Sequence, residues 1–268
     1  MKAIFSAAAL LALAASPALA QDVVPPGEGM IDQPCPAQDG LWFGHAYVKA
    51  NDWAWLCRFR QDNAAVTAPP QAVFIGDSIT EGWWRADQAM FERSPGFERS
   101  TGFERSTGAA WANRGISGQT SPQMLLRFWQ DVIALHPRLV HIMAGTNDIA
   151  GNTGPNRIED YKNNIRSMGS MARANGIAVV IASVPPADHF SWKPAMQPAL
   201  RVAEINAWLK DYAASEHFAY ADYYAAMVGE GGAMKAEFTR DGVHPEPAGY
   251  AVMRPIAERA IAEALEGR

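Results

Sequence analysis

Two cysteines in 268 residues exclude a domain stapled by several disulfides. None of the usual two-histidine ligand spacings occurs either, so a metal site is not expected. No cofactor is expected for this chain. Basic clusters are missing: Lys and Arg number 23 against 28 Asp and Glu, a net charge of −5. With no Lys/Arg run and no aromatic RNA-binding motif, nucleic acid and anionic membrane are not expected as partners. No apolar run reaches the roughly 20 residues that a membrane-spanning helix needs. The G-x-S-x-G elbow of ordinary α/β-hydrolases is also absent, since Thr80 stands where its second glycine would be.

The first twenty residues read as an address. Lys2 gives a positive start, Ala3 to Ala15 a short apolar run, and Ala18-Leu19-Ala20 the small-x-small pattern of a signal-peptidase site. Cleavage after Ala20 is expected, with a periplasmic or secreted mature protein of about 250 residues. That length suits one domain with a sizeable core. Residues 21–70 form an N-terminal extension with a helix expected over 52–63, carrying Trp53, Trp55, Cys57 and Phe59. In an oxidising compartment Cys35 and Cys57 can form a disulfide; alternatively Cys57 is a buried helical thiol. Oligomeric state has no signature in the sequence.

From Ala72 to the C-terminus short apolar runs alternate with amphipathic patterns, the mark of a parallel α/β sheet. Strands are expected at 72–75, 111–113, 139–144, 177–183 and 218–222. The helix faces are legible in Leu125, Phe128, Trp129, Val132 and Ile133, with Ser121-Pro122 as N-cap and N1. They recur in Ile158, Tyr161, Ile165, Met168 and Ala172, in 200–212, and in Met253, Ile256, Ala260, Ile261 and Ala264. Five strands with helices between them predict a three-layer α/β/α sandwich over 71–268. Within it, 91–108 repeats one hexad three times as FERSPG, FERSTG and FERSTG. Six residues fit neither a helix nor a strand period, so a surface loop is expected, with a lid over the site as the sharper alternative.

Polar, glycine-containing segments follow the strands. Gly76-Asp77-Ser78 follows the first, Asn113-Arg114-Gly115-Ile116-Ser117-Gly118 the second, and Gly145-Thr146-Asn147-Asp148 the third; Asp241-Gly242-Val243-His244-Pro245 comes after the last. In an open parallel sheet such segments converge where ligands bind, outside the carboxyl ends of the strands. The residue types fit acyl transfer. Ser78 needs a base to become nucleophilic, His244 can take its proton, and Asp241, three residues earlier, can hold the other ring nitrogen. The N–H groups of Ser78 and Gly118 and the side-chain amide of Asn147 can form an oxyanion hole. Asp77 and Asp148 are read as loop-orienting carboxylates rather than reacting groups. A metal reading of Asp77, Asp148, Asp241 and His244 lacks the ligand spacing.

Ser78, Gly118, Asn147 and His244 look like the signature residues of the SGNH/GDSL hydrolases. VFIGDSIT, NRGISG, AGTNDIAG and DGVHP resemble that family's blocks, in its order. The resemblance covers nearly the whole mature domain and implies a five-stranded flavodoxin-like sheet, a Ser78-His244-Asp241 triad, the same oxyanion hole and no metal. Its nearest likeness is to the platelet-activating-factor acetylhydrolase-like and arylesterase-like bacterial acylhydrolases. The expected function is an exported esterase for short acyl or acetyl groups on a small-molecule substrate. Alternatives are a glycan O-deacetylase and a non-catalytic lipid- or carbohydrate-binding domain, the last disfavoured because pure binding needs no Asp-x-x-His pair.

Trp83 and Trp84, just after the nucleophile, are candidates for an acyl pocket. His189, Phe190 and Trp192, in the Pro-rich loop after the fourth strand, are candidates for substrate contact. His141, inside a strand, reads as a core histidine. His136 reads as a helix-end cation, and His45 and His217 as ordinary surface or packing residues.

Overall fold

The computed structural model describes residues 35–42, 44–91, 98–100, 103–105 and 111–266. The leader and its cleavage site lie outside the described residues, as do the first hexad beyond Phe91 and much of the other two. The chain divides between Pro36 and Ala37, and the fold below is that of Ala37–Arg268. In chain order its helices are α1 (Ala46–Asn51), α2 (Arg60–Ala64), α3 (Ser78–Ala86), α4 (Gln88–Phe91) and α5 (Ser121–Asp131). They continue with α6 (Thr146–Ala150), α7 (Ile158–Ala174), α8 (Ala199–Ser215), α9 (Tyr223–Met227) and α10 (Pro247–Glu266). The strands are β1 (Ala72–Gly76), β2 (Glu98–Ser100), β3 (Phe103–Arg105), β4 (Trp111–Gly115), β5 (Leu139–Ile142), β6 (Ala178–Ala182) and β7 (Ala219–Ala221).

Five strands pair in parallel in the order β4-β1-β5-β6-β7. Every residue of β1, β5 and β6 is buried, because helices cover both faces. Successive side chains point to opposite faces. Thus Val73, Ile75, Val140 and Ile142 pack with Phe128, Tyr161, Ile165 and Leu209 of α5, α7 and α8. Ala72, Phe74, Leu139 and Val180 pack with Ile79, Trp83, Met253 and Ala257 of α3 and α10. This is the expected three-layer α/β/α sandwich. The chain runs from β1 to β4 on one side, then returns to β5 on the other, so strand order reverses between β1 and β5. That is the flavodoxin-like switch point, where a crevice opens at the carboxyl ends of the two strands.

Three details depart from the sequence reading. Residues 52–63 are not one helix: the Asp52 carboxylate accepts from the N–H groups of Leu56 (2.6 Å) and Cys57 (2.9 Å), and Trp55 turns to φ +52. Only Arg60–Ala64 is helical there. The cysteines are no such departure: of the two readings given for them the structure has the disulfide-bonded state, for both Cys35 and Cys57. Helix α5 is capped one residue earlier than expected, by Thr120 with Gln123 in a capping box. Ser121 is drawn away because its N–H and Oγ both donate to Asp148. In the hexads, the backbones of 98–100 and 103–105 form an antiparallel ladder, where no strand was expected. The register sets Glu98 against Arg105, Arg99 against Glu104 and Ser100 against Phe103 along the backbone. Among the described residues no helix is long and apolar enough to cross a membrane.

Candidate active site

Ser78 is the first residue of α3, with Asp77 as its N-cap accepting from Ile79 N–H at 2.9 Å. The helix lies hard against the end of β4. A Cβ at Gly115 would stand 2.2 Å from the Glu81 nitrogen, so glycine there permits the approach. Beyond β4 the chain turns at Gly118, whose φ of +76 suits glycine. Glu81 fastens that turn to α3 by accepting from Ser117 N–H at 2.9 Å. Neither Ser78 N–H nor Gly118 N–H donates to an acceptor among the described residues.

Asn147 sits in the first turn of α6, directly after β5, and is buried. Its amide donates to Asp77 Oδ2 (3.2 Å) and to the Gln119 carbonyl (3.1 Å), while its oxygen accepts from Asn152 (2.6 Å). Since β1 and β5 are neighbours, Ser78 and Asn147 straddle the switch point. The fourth segment arrives just ahead of α10. Asp241 Oδ1 accepts from the N–H groups of Val243 (2.9 Å) and His244 (2.8 Å), which folds the loop on itself. Asp241 Oδ2 meets His244 Nδ1 at 2.6 Å, and His244 Nε2 meets Ser78 Oγ at 2.9 Å. An ionised carboxylate only accepts, so Nδ1 carries the ring proton and Nε2 faces the serine hydroxyl as acceptor. Such a chain can take a proton from an attacking hydroxyl and return it to a leaving group.

The carboxylates around this chain differ. Partial burial pushes Asp241 up, but the bonds from His244 and Val243 outweigh it and hold its carboxyl at about 2. Burial raises Asp77 to about 6 despite the bond from Ile79, and raises Asp148 to about 6 despite its bonds from Ser121 and Asn156. With an ordinary value of 3.8, Asp77 and Asp148 bind protons in the folded state that the unfolded chain has already released. They should therefore add stability as pH falls from about 6 toward 4, whereas Asp241 gives stability up as pH falls below 4 through about 2. Burial of neutral His141, held at about 3, works the other way over this range, so the readout is a difference: in calorimetric melting from pH 7 to 4 the wild type should gain relative to Asp148→Asn. Equal slopes would contradict a raised Asp148.

Two lobes of a cleft meet at Ser78 and His244. One, of ≈ 740 Å³, is lined by Lys49, Trp53, Ser117, Gly118, Gln123, Asn147, Asn152, Thr153 and Trp192. The other, of ≈ 440 Å³, is lined by Glu81, Gly82, Arg85, Ala86, Pro245, Glu246, Pro247 and Tyr250. Trp192 is one of the expected contact residues; its indole donates to Asn152 Oδ1 at 3.1 Å and leans on the His244 ring at 6.4 Å. Phe190 is fully buried beneath it, stacked at 4.9 Å. His189 does not line the cleft. It pairs with Asp188 at 2.7 Å and its ring covers Gly242, steadying the Asp241–His244 loop from outside.

Trp83 and Trp84 line neither lobe. Trp83 is fully buried, stacked on Tyr250 and edge-on to Phe74, and Trp84 packs against the same core. Helical spacing explains this: Ile79 and Trp83 share the inward face, whereas Ser78, Glu81, Gly82 and Arg85 share the face that looks into the cleft. His141 is a core histidine bonded to Tyr223, pushed down to about 3 by burial. Lys49, Trp53, Asn152 and Thr153 were not foreseen. Asn152 and Thr153 follow the Asn147 block closely enough that its loop could have been carried on to them; Lys49 and Trp53 leave no such signal.

The fold, with a serine, a histidine and an aspartate joined at its switch point, defines a class of hydrolases, and the comparisons agree. The sequence profile of the GDSL-like lipase/acylhydrolase family matches residues 74–252, and the chain belongs to that family. A GDSL-like lipase of Bacteroides thetaiotaomicron is 39% identical, covering 79% of this chain and 99% of its own, with a TM-score of 0.71. A candidate acylhydrolase of Bacteroides fragilis is 40% identical over 80% of this chain and 99% of its own, with a TM-score of 0.72. The fold is also that of Axe2, an acetyl xylan esterase of Geobacillus stearothermophilus, at 20% identity over 74% of this chain and 96% of its own (TM-score 0.53). No curated protein sequence matches the chain.

Proposed function

We propose that the protein is an exported serine esterase that hydrolyses short-chain acyl or acetyl carboxylesters. Ser78 Oγ attacks the ester carbonyl while His244 Nε2 takes its proton, and Asp241 stabilises the imidazolium. The oxyanion is held by Ser78 N–H, Gly118 N–H and the Asn147 amide, which turns one N–H from the Gln119 carbonyl to the substrate. His244 then protonates the departing alkoxide. Water attacks the acyl-serine by the same route, releasing the carboxylic acid and restoring Ser78. The observation that carries this reading is the unbroken Asp241–His244–Ser78 chain at 2.6 and 2.9 Å.

A short acyl group is supported by the walls. The smaller lobe, which receives the acyl group in the placement argued below, has Glu81, Arg85 and Glu246 in its wall and no Leu, Ile, Val, Met or Phe among its described lining residues, so a long alkyl chain would meet charge there. Export is supported by the leader sequence and by the oxidised state of Cys35 and Cys57. The test is a series of p-nitrophenyl esters, for which kcat/KM should fall at least about tenfold from acetate to octanoate, the order expected when successive methylenes go unburied. Activity should survive a chelator. A preference for octanoate, or activity that metal removal abolishes and metal restores, would overturn the reading.

A further inference from the structure

We infer, resting on the esterase reading above, that the N-terminal extension builds a leaving-group subsite for a carboxylate-bearing sugar, with Lys49 and Trp53 as its readers. Both residues precede the span matched by the family profile, 74–252, yet both line the larger lobe.

Their segment is held in place by polar bonds. Gln123 donates to the Trp53 carbonyl (2.6 Å), Gln119 to the Ala54 carbonyl (2.7 Å) and Gln130 to the Leu56 carbonyl (2.5 Å). Three glutamine amides thus satisfy the carbonyls of a stretch that has no helix of its own, and set Trp53 as a fixed wall with 40% of its surface exposed. The same lobe is lined by Trp192, equally exposed and locked by its bond to Asn152. A pyranose has apolar C–H faces for such indoles and hydroxyls at its edge for groups such as Ser117 and Thr153.

The leaving oxygen must take its proton from His244 Nε2, which borders both lobes, so charge decides the direction: the leaving group enters the larger lobe and the acyl group the smaller one. The larger lobe has one cation, Lys49, which has no ion partner among the described residues, and its described lining includes no acid. The smaller lobe carries Glu81 and Glu246 beside Arg85 and would repel an anion.

The test compares kcat/KM for the methyl glycoside of an O-acetylated glucuronic acid with that for the matching O-acetylated glucose. At low ionic strength the wild type should prefer the acidic ester roughly fivefold, the upper end for an exposed ion pair. In Lys49→Gln, and in the wild type at high salt, the ratio should fall toward one. Trp53→Ala should raise KM for both sugars while leaving their ratio in place. Reading ratios within one variant cancels any general loss of activity, and Lys49 lies exposed on α1, so its variant keeps the fold. Equal use of the two esters, a preference for the neutral one, or a ratio that Lys49→Gln leaves unchanged would overturn the subsite. Ser78-dependent hydrolysis of p-nitrophenyl acetate by the same preparation separates that failure from failure of the esterase reading.

Discussion

Ser78→Ala and His244→Ala should each lower kcat by roughly 10⁴- to 10⁶-fold, the range seen when one member of a serine triad is removed. The double variant should be no worse than either single one, because the two side chains act through one hydrogen bond and neither works alone. Stability should hardly change. Among the described residues the only hydrogen bond of Ser78 Oγ is to His244, α3 is capped by Asp77, and alanine is an excellent helix residue. Melting temperatures within about 2 °C of the wild type are expected, in line with substitutions away from buried networks. Labelling by a fluorophosphonate should also be lost in Ser78→Ala. Turnover within tenfold of the wild type in either purified variant would refute the catalytic assignment.

The second large effect concerns Asn147. Losing one oxyanion donor costs about 10²- to 10³-fold in kcat, and Asn147→Ala should fall in that range with KM nearly unchanged, because the bond forms fully only in the transition state. Asn147 also bonds Asp77, Gln119 and Asn152, so some loss of melting temperature is expected as well. The split between kcat and KM distinguishes the two roles. A purely structural asparagine would raise KM and lower stability together, and a normal kcat in the folded fraction would remove Asn147 from the oxyanion hole.

Wherever chemistry and local period coincide, the sequence was readable. Ala72–Gly76 and Ala178–Ala182 are apolar throughout because helices cover both faces, and their polar C-terminal neighbours fall at the switch point. Asp241 and His244 are three residues apart, so their geometry is local. What escaped was set by tertiary contacts. Trp83 differs from a cleft residue only in which side of α3 it occupies, and adjacency to Ser78 in sequence conceals a turn of more than a third of a circle. The stretch from Asp52 to Phe59 looked helical by composition, but Asp52 and three distant glutamines supply its hydrogen bonds instead. Lys49 and Trp53 reach the cleft only through those partners, and no spacing in the sequence announces them.

The rung-by-rung match of β1 with β4, from Ala72 with Trp111 to Gly76 with Gly115, separates contour length from position. The nucleophile and the turn both lie past the same last rung, Ser78 two residues beyond Gly76 and Gly118 three beyond Gly115, so the gap between them is measured across adjacent strands, about 4.8 Å apart. Residues between α4 and β4 add length without entering that measurement. Replication slippage can therefore write or erase a hexad in the gene, and selection on the reaction would scarcely register the change.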